Sequence, residues 1–152
     1  MYKDPKVLAT ICARGGSKGI KGKNVYRING RPLIEYTIDC AIRCSSIDQF
    51  IVTTDSKEIA DLVRGLGVDV PFNRPAEYST DVSPKIDAIL HATRYVENND
   101  GFFPDVVVDL DVTVPQRQPE DIGGVIKLLH GNREFYAAVT VYIPELNPYY
   151  TM

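Results

Sequence analysis

An unbroken run of apolar and small residues, Val7-Leu8-Ala9-Thr10-Ile11-Cys12-Ala13, gives way at once to Arg14-Gly15-Gly16-Ser17-Lys18-Gly19-Ile20-Lys21-Gly22-Lys23-Asn24. The first segment reads as a buried opening strand. The second packs four cations and four glycines into eleven residues. A glycine-rich turn leaving a strand lets backbone N–H groups come close to an anion, because no Cβ blocks the approach. Gly15 and Gly16 offer such amides, and Arg14, Lys18, Lys21 and Lys23 add formal charge. The combination suits a polyphosphate better than a single carboxylate. The alternative is a tight glycine turn with solvated lysines. No Gly-Lys-Ser/Thr closes the loop as in a Walker A sequence, and the dinucleotide pattern Gly-x-Gly-x-x-Gly is absent, so the loop alone does not name the nucleotide.

Downstream, strand and helix patterns alternate. Asn29-Gly30 is a turn signal, and Pro32 opens a helix whose apolar stripe runs from Leu33 to about Cys44. Phe50 to Thr54 reads as a second strand, followed by a helix capped by Asp55 or Ser56 and stopped at Gly65 or Gly67. Val68 to Val70 reads as a short third strand. Pro71 to Val82 is a long loop without an apolar period, the kind that often carries function. Ser83 as N-cap and Pro84 at the first position open a helix that reaches Asn98 to Gly101. Val106 to Val112 is a β-branched central strand, with Asp109 and Asp111 on one face near its C-terminal end. Gln118 to Asp121 begins a helix ending near His130. Phe135 to Ile143 reads as a last strand, and the rest is irregular. Such alternation predicts one α/β domain over residues 1–152, with a mostly parallel sheet and helices on both faces in three layers. Ligands of open α/β sheets sit beyond the C-terminal ends of the strands. The 14–24 loop, Thr54-Asp55, the 71–83 loop and the Asp109/Asp111 strand end should therefore line one crevice.

Charge is placed unevenly. Residues 1–31 carry +7, whereas the 152-residue chain as a whole carries −3. A basic segment on an acidic body argues for local anion binding and against nucleic-acid coating. A polyphosphate accompanied by a divalent metal would use both signs. No apolar run nears the roughly 20 residues of a membrane helix. Cys12, Cys40 and Cys44 read as reduced core thiols of a cytoplasmic protein; the i,i+4 pair Cys40/Cys44 has no second pair to complete a metal site. His91 and His130 read as packing or solvated residues.

Four segments together resemble the acylneuraminate cytidylyltransferase family, the CMP-sialic acid synthetases and their relatives for other nonulosonic acids. They are Ala13 to Gly19 with Lys23-Asn24, Val52-Thr53-Thr54-Asp55, Arg74-Pro75-Ala76-Glu77 with Asp81 and Ser83, and Leu110-Asp111-Val112-Thr113-Val114-Pro115-Gln116-Arg117. The last is similar to a segment usually written Leu-Gln-x-Thr-Ser-Pro-Leu-Arg. The resemblance spans about residues 7 to 143 and implies a Rossmann-like nucleotidyltransferase fold. It also implies an enzyme in which the anomeric hydroxyl of a nine-carbon 2-keto acid sugar attacks the α-phosphorus of CTP and pyrophosphate leaves. By the same resemblance Arg14, Ser17, Lys18, Lys23 and Asn24 hold CTP, with Arg14, Lys18 and Lys23 as the catalytic cations. Arg74 and Ser83 belong to a ligand-contacting loop, Asp111 contacts ligand, and Mg²⁺ assists. No membrane or nucleic-acid partner is implied, and the full-length family forms homodimers.

Two departures from the pattern stand out. The family's Gln is Asp111 here, an acceptor-only charged group. It is read as a metal ligand, as a selector of the sugar, or as a surface acid at a strand end. The family also continues for about 70 further residues, a typical remainder of a domain. That part carries an acidic pair for Mg²⁺, a further basic residue and the dimer element, so the sequence reads as C-terminally truncated. The alternatives are a non-catalytic nucleotide-binding module of the same fold, or another sugar nucleotidyltransferase.

Overall fold

The computed structural model describes residues 4–16 and 19–141, and everything in it hangs on the first strand. β1 (Val7–Cys12) is nearly all buried and pairs in parallel on both edges. Strand β4 (Gln49–Thr53) lies on one side, with Ala9 opposite Phe50 and Ile11 opposite Val52. Strand β5 (Val106–Asp109) lies on the other, with Val7 opposite Val106 and Thr10 opposite Asp109. A parallel pair needs a crossover connection, so each return of the chain must carry a helix across a sheet face. Between β1 and the first helix, a small antiparallel hairpin joins β2 (Arg27–Ile28) to β3 (Arg31–Pro32). Its turn is the expected Asn29-Gly30, with φ of 49° and 81°. Positive φ at both turn residues is the geometry that asparagine and glycine tolerate best.

The period-two alternation of β1 decides which helix packs where. Val7, Ala9 and Ile11 face a core shared by α1 (Leu33–Arg43), α2 (Lys57–Gly65) and α4 (Pro119–Gly131). Leu8 faces the other way and packs with Ile51 against Ala92 and Val96 of α3 (Lys85–Asp100). Helices therefore cover both faces, as expected. Ser56 is the N-cap of α2, its hydroxyl accepting from the Ile59 amide at 3.4 Å. α4 opens where expected, with Asp121 accepting from the Gln118 N–H at 2.9 Å. Pro32 and Pro84, expected as the first helical residues, each sit at the N-cap, and the helices begin one residue later.

Three expectations are corrected. Val68 to Val70 is not a strand: Gly67 turns the chain at φ 80°, and the Val70 carbonyl accepts from Arg64 at 2.8 Å. Strand β5 stops at Asp109 and does not run to Val112. The Leu110 amide makes the last bond to β1, donating to the Thr10 carbonyl at 2.9 Å. Asp111 then takes the Thr113 amide at 2.8 Å, and this side-chain turn bends the backbone out of the sheet. Phe135 to Val141 forms no strand either, with Tyr136 99% and Val141 87% exposed. β-propensity is expressed only against a neighbouring strand, and these residues pair with none. The remainder of that expected strand, Tyr142 and Ile143, lies outside the described residues.

Ile34 of α1 is fully buried in the larger core. Ile34→Ala is expected to destabilise the chain by about 2–5 kcal/mol through lost burial and a residual cavity. Urea unfolding followed by circular dichroism measures this, and a loss under about 1 kcal/mol would mean that the helix does not anchor this core.

Candidate active site

Where the three parallel strands end, a cavity of about 540 Å³ opens. The glycine loop forms one wall and the 71–83 loop with the start of α3 forms the opposite one. The segment after β5 completes it with Asp111, Val112 and Thr113. The sequence places the 14–24 loop, Thr54-Asp55, the 71–83 loop and the Asp109/Asp111 strand end in one crevice; Arg14, Lys23, Asn24, Arg74, Ser83 and Asp111 line it, whereas Thr54 and Asp55 do not. Ser17 and Lys18 lie outside the described residues.

The glycine loop is tied down from within. Asn24 is buried, and its side-chain amide donates to the Arg14 carbonyl at 2.9 Å, joining the two ends of the loop. Lys23 begins a short 3-10 turn, Lys23–Val25, led by Gly22 at φ 66°, a left-handed conformation that glycine adopts without strain. Gly15 behaves differently from expectation. Its N–H donates to Asp55 at 2.9 Å, so a carboxylate of this chain already holds the amide expected to meet phosphate. A Cβ on Gly15 would come within 3.0 Å of the Ser56 Cβ, so this glycine serves close packing against the start of α2. A Cβ on Gly16 would meet nothing within 4 Å.

Arg14, Arg74 and Lys85, three cations of the cavity, are engaged by the protein. Arg14 reaches across to the opposite wall, where it bonds the Thr80 carbonyl at 3.1 Å and pairs with Asp81 at 2.8 Å. Arg74 is only 4% exposed; its guanidinium donates to the Thr53 hydroxyl at 3.1 Å and to the Thr53 carbonyl, at the end of β4. Burial pulls its pKa below the usual arginine value, with Arg14 acting in the same direction. Ser83 does not cap α3. Its hydroxyl donates to the Glu77 carbonyl at 2.5 Å, and its amide donates to the Thr80 hydroxyl at 3.0 Å, so it braces the loop that receives Arg14.

The acidic side of the cavity contains the residue that sequence reasoning missed. Lys85, the first residue of α3, places its ammonium 2.5 Å from Asp109 and 3.2 Å from Asp111. Nothing in the local sequence distinguishes this lysine from a solvated helix residue; the i,i+2 aspartates were the only pointer. Asp111 also accepts from the Thr113 hydroxyl at 2.6 Å and amide at 2.8 Å. Burial alone would raise its pKa, but the Thr113 bonds and Lys85 together outweigh burial and hold the carboxyl at about 2. Cys12 faces the same cavity, and burial followed by Asp109 pushes its thiol up to about 11, so at neutral pH it is a protonated packing group.

Among the described residues no group of three or more His, Cys, Asp or Glu side chains converges to hold a metal ion. The two carboxylates best placed for one, Asp109 and Asp111, both face the Lys85 ammonium, so their arrangement does not fit a protein-held Mg²⁺. His91 packs edge-on against Phe72 at 4.7 Å between ring centroids, in keeping with a packing role. All three cysteines are free thiols. No helix among the described residues is long and apolar enough to cross a membrane.

A family model described as cytidylyltransferase matches residues 8–145. A CMP-N,N'-diacetyllegionaminic acid synthase of Legionella pneumophila is 37% identical over 123 residues, covering 81% of this chain and 53% of the relative. The post-translational flagellin modification protein B of Campylobacter coli is 34% identical over 151 residues, covering 97% and 62%. The chain thus spans about half to three-fifths of the length of these relatives. Among solved structures, a CMP:2-keto-3-deoxy-manno-octonic acid synthetase complexed with CTP superposes with a TM-score of 0.66 at 23% identity, over 84% of this chain and 48% of the other. A cytidylyltransferase from Leptospira borgpetersenii superposes at 0.63 with 20% identity, over 84% and 50%. At such identities these superpositions establish the fold.

The Asp111 carboxyl has a folded-state pKa below its unfolded one. Its contribution to stability is complete above about pH 4 and is lost as the pH falls to about 2. The stability gap between the wild type and Asp111→Asn should therefore narrow over that window. Urea unfolding at about pH 5 and about pH 2.5 reads the gap, and a gap of the same size at both would contradict the assigned pairing.

Proposed function

The chain belongs to the cytidylyltransferase family, and on that premise we propose that it provides the nucleotide side of an enzyme that activates a nonulosonic, sialic-type acid. CTP and a nine-carbon 2-keto acid sugar are the substrates; the sugar's anomeric hydroxyl attacks the α-phosphorus and pyrophosphate departs. The observation that carries this reading is the cavity at the strand ends, walled on one side by the glycine loop with Lys23 and Arg14 facing inward. Relatives named for legionaminate, acylneuraminate and pseudaminate activation support the choice of acid sugar.

Transfer of a nucleotidyl group needs alignment and charge neutralisation more than covalent help. Lys23, with Lys18, is assigned to the charge of the triphosphate and the leaving pyrophosphate. Arg14 is poised between its present partner, Asp81, and a phosphate. Ser17 and Gly16 belong to the loop that wraps the anion, while Gly15 and Asn24 keep that loop in shape. Arg74 and Ser83 act by holding the opposite wall. Magnesium enters this proposal only as the counter-ion of the triphosphate.

Calorimetric titration of the chain with CTP, GTP, UTP and ATP tests the reading. CTP is expected to bind most tightly. Lys23→Ala should weaken CTP by about tenfold at low ionic strength, and the loss should shrink as salt screens the contact. Equal affinity for all four nucleotides, or an unchanged CTP affinity in Lys23→Ala, would overturn it.

A further inference from the structure

The Asp109 and Asp111 carboxylates are the kind of oxygen pair that a hard divalent cation takes, at the end of β5 beside the cavity. The place between their Oδ2 atoms is filled by Lys85 Nζ, at 2.5 and 3.2 Å. Each carboxylate is also fixed on its other oxygen. Asp109 Oδ1 faces the Thr10 hydroxyl at 3.4 Å, and Asp111 Oδ1 holds Thr113. Lys85 is itself held by the start of α3, where the Asp87 amide bonds the Pro84 carbonyl at 3.1 Å. A charge tethered this way competes at a high effective concentration. A free Mg²⁺ competing for the pair would have to shed tightly held waters and displace the ammonium from both carboxylates.

We infer that Lys85 is the tethered counter-ion of the Asp109–Asp111 pair, and that this pair consequently takes no free divalent cation. The lysine is a positioning residue: it sets the two carboxylates at the cavity edge and offsets one of their two negative charges. Titration with metal alone reads the pair whatever ligand the cavity accepts, so the outcome does not depend on the CTP reading.

Mn²⁺ is titrated into the full chain without nucleotide and followed by calorimetry and water-proton relaxation. Wild type and Asp111→Asn should bind Mn²⁺ equally weakly. Lys85→Gln should bind it about tenfold or more tightly, in line with removing one adjacent like charge from a partly exposed site. Lys85→Arg should remain as weak as wild type, and Lys85→Gln combined with Asp111→Asn should lose the gain. Wild-type binding as tight as that of folded Lys85→Gln overturns the inference. So does a loss of wild-type Mn²⁺ affinity on Asp111→Asn, a comparison that stands even if Lys85→Gln fails to fold.

Discussion

Everything in this structure depends on β1 being the middle strand. Paired in parallel on both edges and buried on both faces, it cannot be served by hairpins, and each connection must cross over the sheet. That requirement puts α1, α2 and α4 on the Val7/Ala9/Ile11 face and α3 on the Leu8 face. It also aligns the C-terminal ends of three strands at one edge of the sheet. Thr53, Asp109 and the loop after Cys12 thereby become neighbours although they are far apart in sequence. The site is a by-product of the topology before any side chain is chosen.

The side chains then settle how that edge behaves. A loop with four cations would repel itself, and the acidic body supplies the answer: Asp55 takes the Gly15 amide and Asp81 takes Arg14. At the far side the signs reverse, with Lys85 between two aspartates. The +7 of the first 31 residues and the acidic remainder are therefore parts of one arrangement that meet in the cavity.

Much of this could be read from the sequence wherever the signal is local. The strand preceding the glycine loop, the Asn29-Gly30 turn and the Ser56 cap all follow from short-range geometry. What escaped depends on contacts distant along the chain. Val68 to Val70 has strand composition, but Arg64 claims its carbonyl. Phe135 to Val141 has it too, but no described strand lies beside it. Ser83 looks like an N-cap by position yet bonds backward to Glu77 and Thr80. Lys85 has no local signature at all, because its role exists only where α3 meets the end of β5. Arg74, expected at the ligand, proves to be a buried tie to Thr53 as well as a lining residue.

Such engagement changes how anion binding at this cavity should be understood. A cation that waits unpaired gains the full attraction of an arriving phosphate but pays for exposure and repulsion beforehand. On the proposed reading Arg14 would exchange Asp81 for the ligand, and the net gain would be the difference between two charge-assisted pairs. That exchange also releases the Thr80–Ser83 wall to which Arg14 is bonded. On that reading ligand charge and the position of the 71–83 loop would be coupled through one guanidinium. Lys23, in a turn fixed by Gly22 and Asn24, has no bond to that loop among those described, and on the proposed reading it would be the first point of contact for a polyphosphate entering the cavity.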